Sequence, residues 1–121
     1  MPINKAWSDC AALNPRGLPG TVGVYELADA QGEVIFIGYA GGRALMGLRG
    51  EIAAHCGGKE TFDVTRSRVA RFRYEVTASY LTRWLELLAR YRQDTGVLPP
   101  GNASAATEVP PLTRYGWKTG A

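Results

Sequence analysis

The sequence predicts an α+β domain: a small three-stranded, mainly antiparallel sheet flanked by helices, in the order β-β-α-β-α. Three observations carry this. Two short apolar runs, residues 22–28 and 33–38, flank Asp29-Ala30-Gln31-Gly32, whose Asp and Gly suit a tight reversal, so they read as a hairpin. Residues 69–76 alternate, with Val69, Arg71, Arg73 and Glu75 on one side and Ala70, Phe72, Tyr74 and Val76 on the other. That is the pattern of a strand packed on one side. Over 79–95, Leu81, Leu85 and Leu88, with Trp84 and Tyr91, recur at three- and four-residue spacing, and Gly96 follows as a stop.

The remaining elements follow in order. Residues 1–20 hold Pro2, Pro15, Pro19, Gly17 and Gly20 and read as an irregular lead-in, with a helical turn near Asp9 to Leu13 and Trp7 as a core plug. After the hairpin, Tyr39-Ala40-Gly41-Gly42 reads as a flexible loop, followed by a helix from about Arg43 to His55. Gly47 and Gly50 weaken that helix by about 1 kcal/mol each against alanine, which points to a broken helix or to close approach of another backbone. Gly57-Gly58 ends it. The folded unit is expected over 21–102. Beyond Pro99-Pro100 the composition turns to Ala, Ser, Thr, Pro and Gly, and 103–121 reads as a loosely ordered tail.

A chain of 121 residues, 45% hydrophobic and 21% charged, is long enough for one core and not for two. No apolar run approaches the roughly 18 residues of a membrane helix, and no secretory leader opens the chain, so the expectation is no membrane partner and a cytoplasmic location. In that setting Cys10 and Cys56 are expected as free thiols. The net charge of +3 is uneven. Eleven of the 14 basic residues are arginine, the type suited to bidentate phosphate contacts, and several cluster between Arg66 and Arg92. That cluster reads either as a solvated helix and strand face or as a phosphate-tracking surface, with Arg71, Arg73 and Arg43 as the nucleic-acid contacts.

Gly23-Val24-Tyr25 on the first run and Phe36-Ile37-Gly38 on the second resemble the signature of the GIY-YIG nuclease family. Leu18-Pro19-Gly20 before them resembles the lead-in of its nucleotide-excision-repair members. The resemblance spans about 18–102 and implies a metal-dependent endonuclease that hydrolyses DNA phosphodiester bonds. By motif position it assigns the first tyrosine to Tyr25, the helix arginine to Arg49, the metal-binding carboxylate to Glu86 and the closing asparagine to Asn102. Glu86 would hold Mg²⁺ (or Mn²⁺), Arg49 would fork onto phosphate oxygens, and Tyr25 would orient the attacking water. Phe36 replaces the second signature tyrosine and Ala53 stands where members carry tyrosine or histidine. Tyr39 and His55 are therefore the candidate substitutes, although His55 lies about 240° around the helix from Arg49. Plainer readings stand beside these: Tyr25 as packing, Arg49 as a surface residue, Glu86 as the ion-pair partner of Arg90 or Arg83, and Asn102 as a turn residue. Phe36 and Ala53 favour the alternative function, a nucleic-acid-binding or interaction module whose chemistry is lost.

Overall fold

The computed structural model describes residues 3–44, 46–57 and 69–105. The expected arginines at 66 and 68, Gly58 and the tail from 106 onward lie outside these. Among the described residues no helix is long and apolar enough to cross a membrane.

The α+β architecture is present, and the sheet has four strands rather than three. They are β1 (Ser8–Asp9), β2 (Gly23–Ala28), β3 (Val34–Ala40) and β4 (Arg71–Val76), antiparallel and ordered β1-β4-β2-β3. Two α-helices pack on it, α1 (Gly47–Cys56) and α2 (Tyr80–Thr95). The extra strand is β1, two residues long, where a helical turn was expected. Its residues carry no apolar alternation. It forms because β4 has an open edge there, and the Cys10 N–H continues the ladder onto the Ala70 carbonyl. The expected turn is shortened to a 3-10 helix at Cys10–Ala12.

The hairpin closes as its turn residues require. Asp29 Oδ1 accepts the N–H groups of Gln31 and Glu33, and Gly32 takes a φ of 86°. Next to the turn the register slips, because Ala28 faces Val34 while Leu27 faces Phe36. Ile35 is the residue left over in this bulge. From Leu27 onward Tyr25 faces Gly38 and Glu26 faces Ile37.

All six residues of β2 are buried, so the sheet is covered on both sides and not on one. On the first side α1 supplies Leu48 and Ile52 to a cluster with Tyr25, Leu27, Ile35 and Phe72. On the second, α2 supplies Leu87 and Leu88 against Val24 and Ile37. Each such aliphatic side chain contributes about 1.5–3 kcal/mol when fully buried. The polar face of β4 is thus not left to solvent. Arg73 is sandwiched between Glu26 and the Trp7 ring, whose centroid lies 4.3 Å from the guanidinium carbon.

Helix α1 begins four residues later than expected. Met46 and Gly47 are both left-handed, with φ of 63° and 57°, which turns the chain before the helix can start. A Cβ at Gly47 would lie 2.4 Å from the Thr21 carbonyl oxygen, so the close backbone approach anticipated here is present at Gly47. The lead-in then caps the helix, with Leu48 N–H donating to Thr21 O at 2.9 Å and Arg49 N–H to Pro19 O at 3.0 Å. At its far end, Cys56 is joined to Cys10 by a disulfide, which corrects the expectation of free thiols. The two cysteines are distant in sequence, and only the pairing of β1 with β4 brings the lead-in under the end of α1. Helix α2 ends at Gly96 with φ 88°, its N–H bonded to Arg92 O.

Candidate functional site

Tyr25 and His55 come together. The phenol oxygen and His55 Nε2 share a 3.0 Å hydrogen bond, and Phe36 packs on the imidazole with ring centroids 5.3 Å apart. The strand and the helix position the pair separately: Tyr25 stands on the α1 side of β2, and His55 is the last inward residue of α1. Each is 2% exposed. Gly38, opposite Tyr25, makes room for the ring; a Cβ there would sit 2.5 Å from Tyr25 Cζ and Oη. The Tyr25 hydroxyl and His55 Nε2 pair inside the core, and both residues are buried.

Arg49 turns away from this pair. Its Nε donates to Leu18 O at 3.0 Å and ties α1 to the lead-in.

Glu86 lies on the other side of the sheet. Glu75 faces Val24 in the register, one residue from Tyr25 and so on the opposite face. Arg83 grips Glu75 through two bonds, Nε to Oε2 at 2.8 Å and Nη2 to Oε1 at 3.1 Å. Its Nη1 donates to Glu86 Oε1 at 2.5 Å. Burial disfavours the Arg83 charge, yet Glu75 and Glu86 together hold its pKa above the ordinary value. Glu26 in the same layer is 4% exposed, and burial raises its pKa against the opposing pull of Arg73. Among the described residues no group of three or more His, Cys, Asp or Glu could hold a metal. A Mg²⁺ or Mn²⁺ ion at Glu86 would sit beside the guanidinium that already occupies one carboxylate oxygen, so this donor set does not fit such an ion.

Asn102 is an edge clamp. It is buried, its Oδ1 accepts Ile37 N–H at 2.8 Å, and its Nδ2 donates to Ile37 O at 2.8 Å. Trp84 Nε1 donates to the same carbonyl at 2.9 Å.

Tyr39 opens to solvent, at 38% exposure. It stacks on Tyr80 with centroids 5.7 Å apart and planes 18° apart, and meets Trp84 edge-on at 5.1 Å. Beside these rings lies a cleft of about 520 Å³ lined by Tyr39, Gly41, Gly42, Arg43, Glu51 and Tyr80. Tyr80 is fixed there because its hydroxyl accepts the Gly42 N–H at 3.3 Å and its ring lies over Gly41, where a Cβ would come within 2.9 Å. Arg43 is exposed and, among the described residues, makes no ion pair. The other two proposed arginines differ: Arg71 is 3.7 Å from Asp9 on the surface, and Arg73 is engaged by Glu26. Sequence reasoning missed Tyr80 and Trp84 as partners of Tyr39. Their i,i+4 spacing is shared with the core stripe of α2, and the only hint was the adjacent Gly41-Gly42 pair.

The class defined by these features is an α+β domain with a doubly covered four-stranded antiparallel sheet and an aromatic cleft at the start of its first helix. The chain belongs to the family described as a domain of unknown function, DUF7508, whose model matches residues 1–94. No curated protein and no solved structure matches it. The family found is not the GIY-YIG family, and the resemblance drawn from Gly23-Val24-Tyr25 and Phe36-Ile37-Gly38 is corrected accordingly. The physical source of the likeness is local. A large ring on one strand needs a glycine opposite it on the next, and Tyr25 facing Gly38 meets that packing need.

Proposed function

We propose that this chain is a nucleic-acid-binding module that contacts DNA on the side carrying the aromatic cleft. The observation that supports it best is Arg43, an exposed guanidinium with no ion pair among the described residues, set beside exposed aromatic surface on a chain of net charge +3. A guanidinium fork matches phosphate oxygens, and binding of this kind releases counterions. Binding fits the geometry better than hydrolysis does. Tyr25 and His55 are enclosed, Arg49 is tied to Leu18, and Glu86 shares Arg83 on the opposite face.

The test is titration of labelled DNA, single- and double-stranded, at several salt concentrations. Affinity should fall steeply with salt, and Arg43→Gln should reduce the salt slope by about one. No binding to either form at low salt would remove the reading. Magnesium-dependent nicking of a plasmid, lost in Glu86→Ala, would instead establish phosphodiester hydrolysis.

A further inference from the structure

We propose that the cleft between β3 and the start of α2 receives one unstacked base of single-stranded DNA, laid on the Tyr39 ring, with the adjoining phosphate on Arg43. This rests on the DNA-binding reading above and specifies the form of the ligand.

Three observations carry it. The first is the order within the aromatic group. Tyr80 and Trp84 are half-buried and hydrogen-bonded through their polar tips, to the Gly42 N–H and the Ile37 carbonyl. Tyr39 is the outer ring and keeps 38% of its surface exposed. Apolar area left open beside two anchored rings is a platform already in position, so little side-chain freedom is lost when a flat ligand settles on it.

The second is size. A cleft of about 520 Å³ falls within the range of small-ligand sites and admits a nucleoside, not a double helix. In duplex DNA each base is stacked on both faces and presents only its edge. The face of a ring lining such a cleft, as Tyr39 does, is reached by a base free of its partner, and stacking of this kind accepts any base because every base has a π-face.

The third is the charge. Arg43 belongs to the same rim as Gly41 and Gly42, so a phosphate next to the stacked base meets a guanidinium that no carboxylate engages among the described residues. The two glycines leave room at that rim for the Tyr80 ring, whose hydroxyl accepts the Gly42 N–H. Stacking on a tyrosine ring does not distinguish one base from another, so the inference is for single strands of any sequence.

The experiment is fluorescence anisotropy with a short labelled oligothymidylate and with the duplex it forms with oligoadenylate. The single strand is expected to bind about tenfold or more tightly than the duplex. Tyr39→Ala should weaken the single strand at least about fivefold, while Tyr39→Phe, which keeps the ring, binds like the wild type. Gly41→Ala, which displaces Tyr80 without touching charge, should also weaken it. Quenching of tryptophan emission by the single strand is expected in the wild type and should be diminished in Trp84→Phe, the chain holding three tryptophans. Duplex binding as tight as single-strand binding overturns the inference. So does wild-type affinity in Tyr39→Ala, and so does a preference for oligouridylate over oligothymidylate. In those cases a loss on Arg43→Gln still upholds nucleic-acid binding in general, whereas absence of binding to every probe removes both.

Discussion

Gly38 shows how one missing atom sets the chemistry of a neighbour. Tyr25 lies across it, and the hydroxyl reaches His55 only because the ring can lie flat. Gly38→Ala should therefore destabilise the protein by about 1–3 kcal/mol, since both neighbours are rigid rings that cannot fold out of the way. Denaturant titration of the variant measures this. Glu26 offers a second residue-level prediction. Burial raises its pKa above the ordinary 4.5, so the native state binds more protons than the unfolded one in the interval above that value. Stability from this group is fully present below pH 4.5 and is lost as pH rises through the raised folded pKa. Glu26→Gln removes the titration, and the wild type measured against it by urea melts should lose ground across that interval and run parallel above it. A negative difference slope is the expected sign; a positive one contradicts the burial argument. At this scale the sequence was readable for what residues are and less so for what they touch. Phe36 brings no hydroxyl to the pair, and His55, about 240° around the helix from Arg49, is the phenol's direct partner.

At the scale of elements, periodicity was legible and boundaries depended on contacts. Strands β2, β3 and β4 and helix α2 fall within a residue or two of where alternation and leucine spacing put them. Helix α1 does not, because its start is imposed by the lead-in carbonyls of Pro19 and Thr21 and by two left-handed residues, none of which has a pattern of its own. β1 was invisible for a similar reason: two polar residues become a strand only when a partner edge is present. The Cys10–Cys56 link belongs here too, since it fastens the lead-in to the end of α1 across 46 positions of chain. Loop closure over that length corresponds to about 4 kcal/mol of stability at 25 °C. Thermal unfolding with and without reductant, compared with a Cys10→Ala variant, should show a lower midpoint for both reduced and substituted protein; equal midpoints would mean the link does not constrain the unfolded chain.

For the whole molecule, the decisive fact is that the sheet has two covered faces. Chain order brings Tyr25, Arg49, Glu86 and Asn102 past one another, but strand alternation assigns Tyr25 and Glu75 to opposite sides, and Glu86 goes with Glu75 through Arg83. Which side a helix takes is a property of the assembled layers, and no spacing within α2 announces it. The same layering explains why the arginine cluster splits: Arg73 and Arg83 serve carboxylates in the covered layer, and Arg71 stays at the surface near Asp9.

Asn102 has one more consequence. A carboxamide carries the same donor and acceptor as a peptide unit, and this one is laid against Ile37 in the place where a fifth strand would hydrogen-bond. A single side chain thereby imitates a missing neighbour by filling the hydrogen-bonding positions of Ile37 on that flank. Asn102→Ala would bare that flank, with a loss of about 2 kcal/mol in stability and a concentration-dependent shift to larger species on size-exclusion chromatography. A variant that elutes like the wild type at every concentration would mean that Asn102 does not guard this flank.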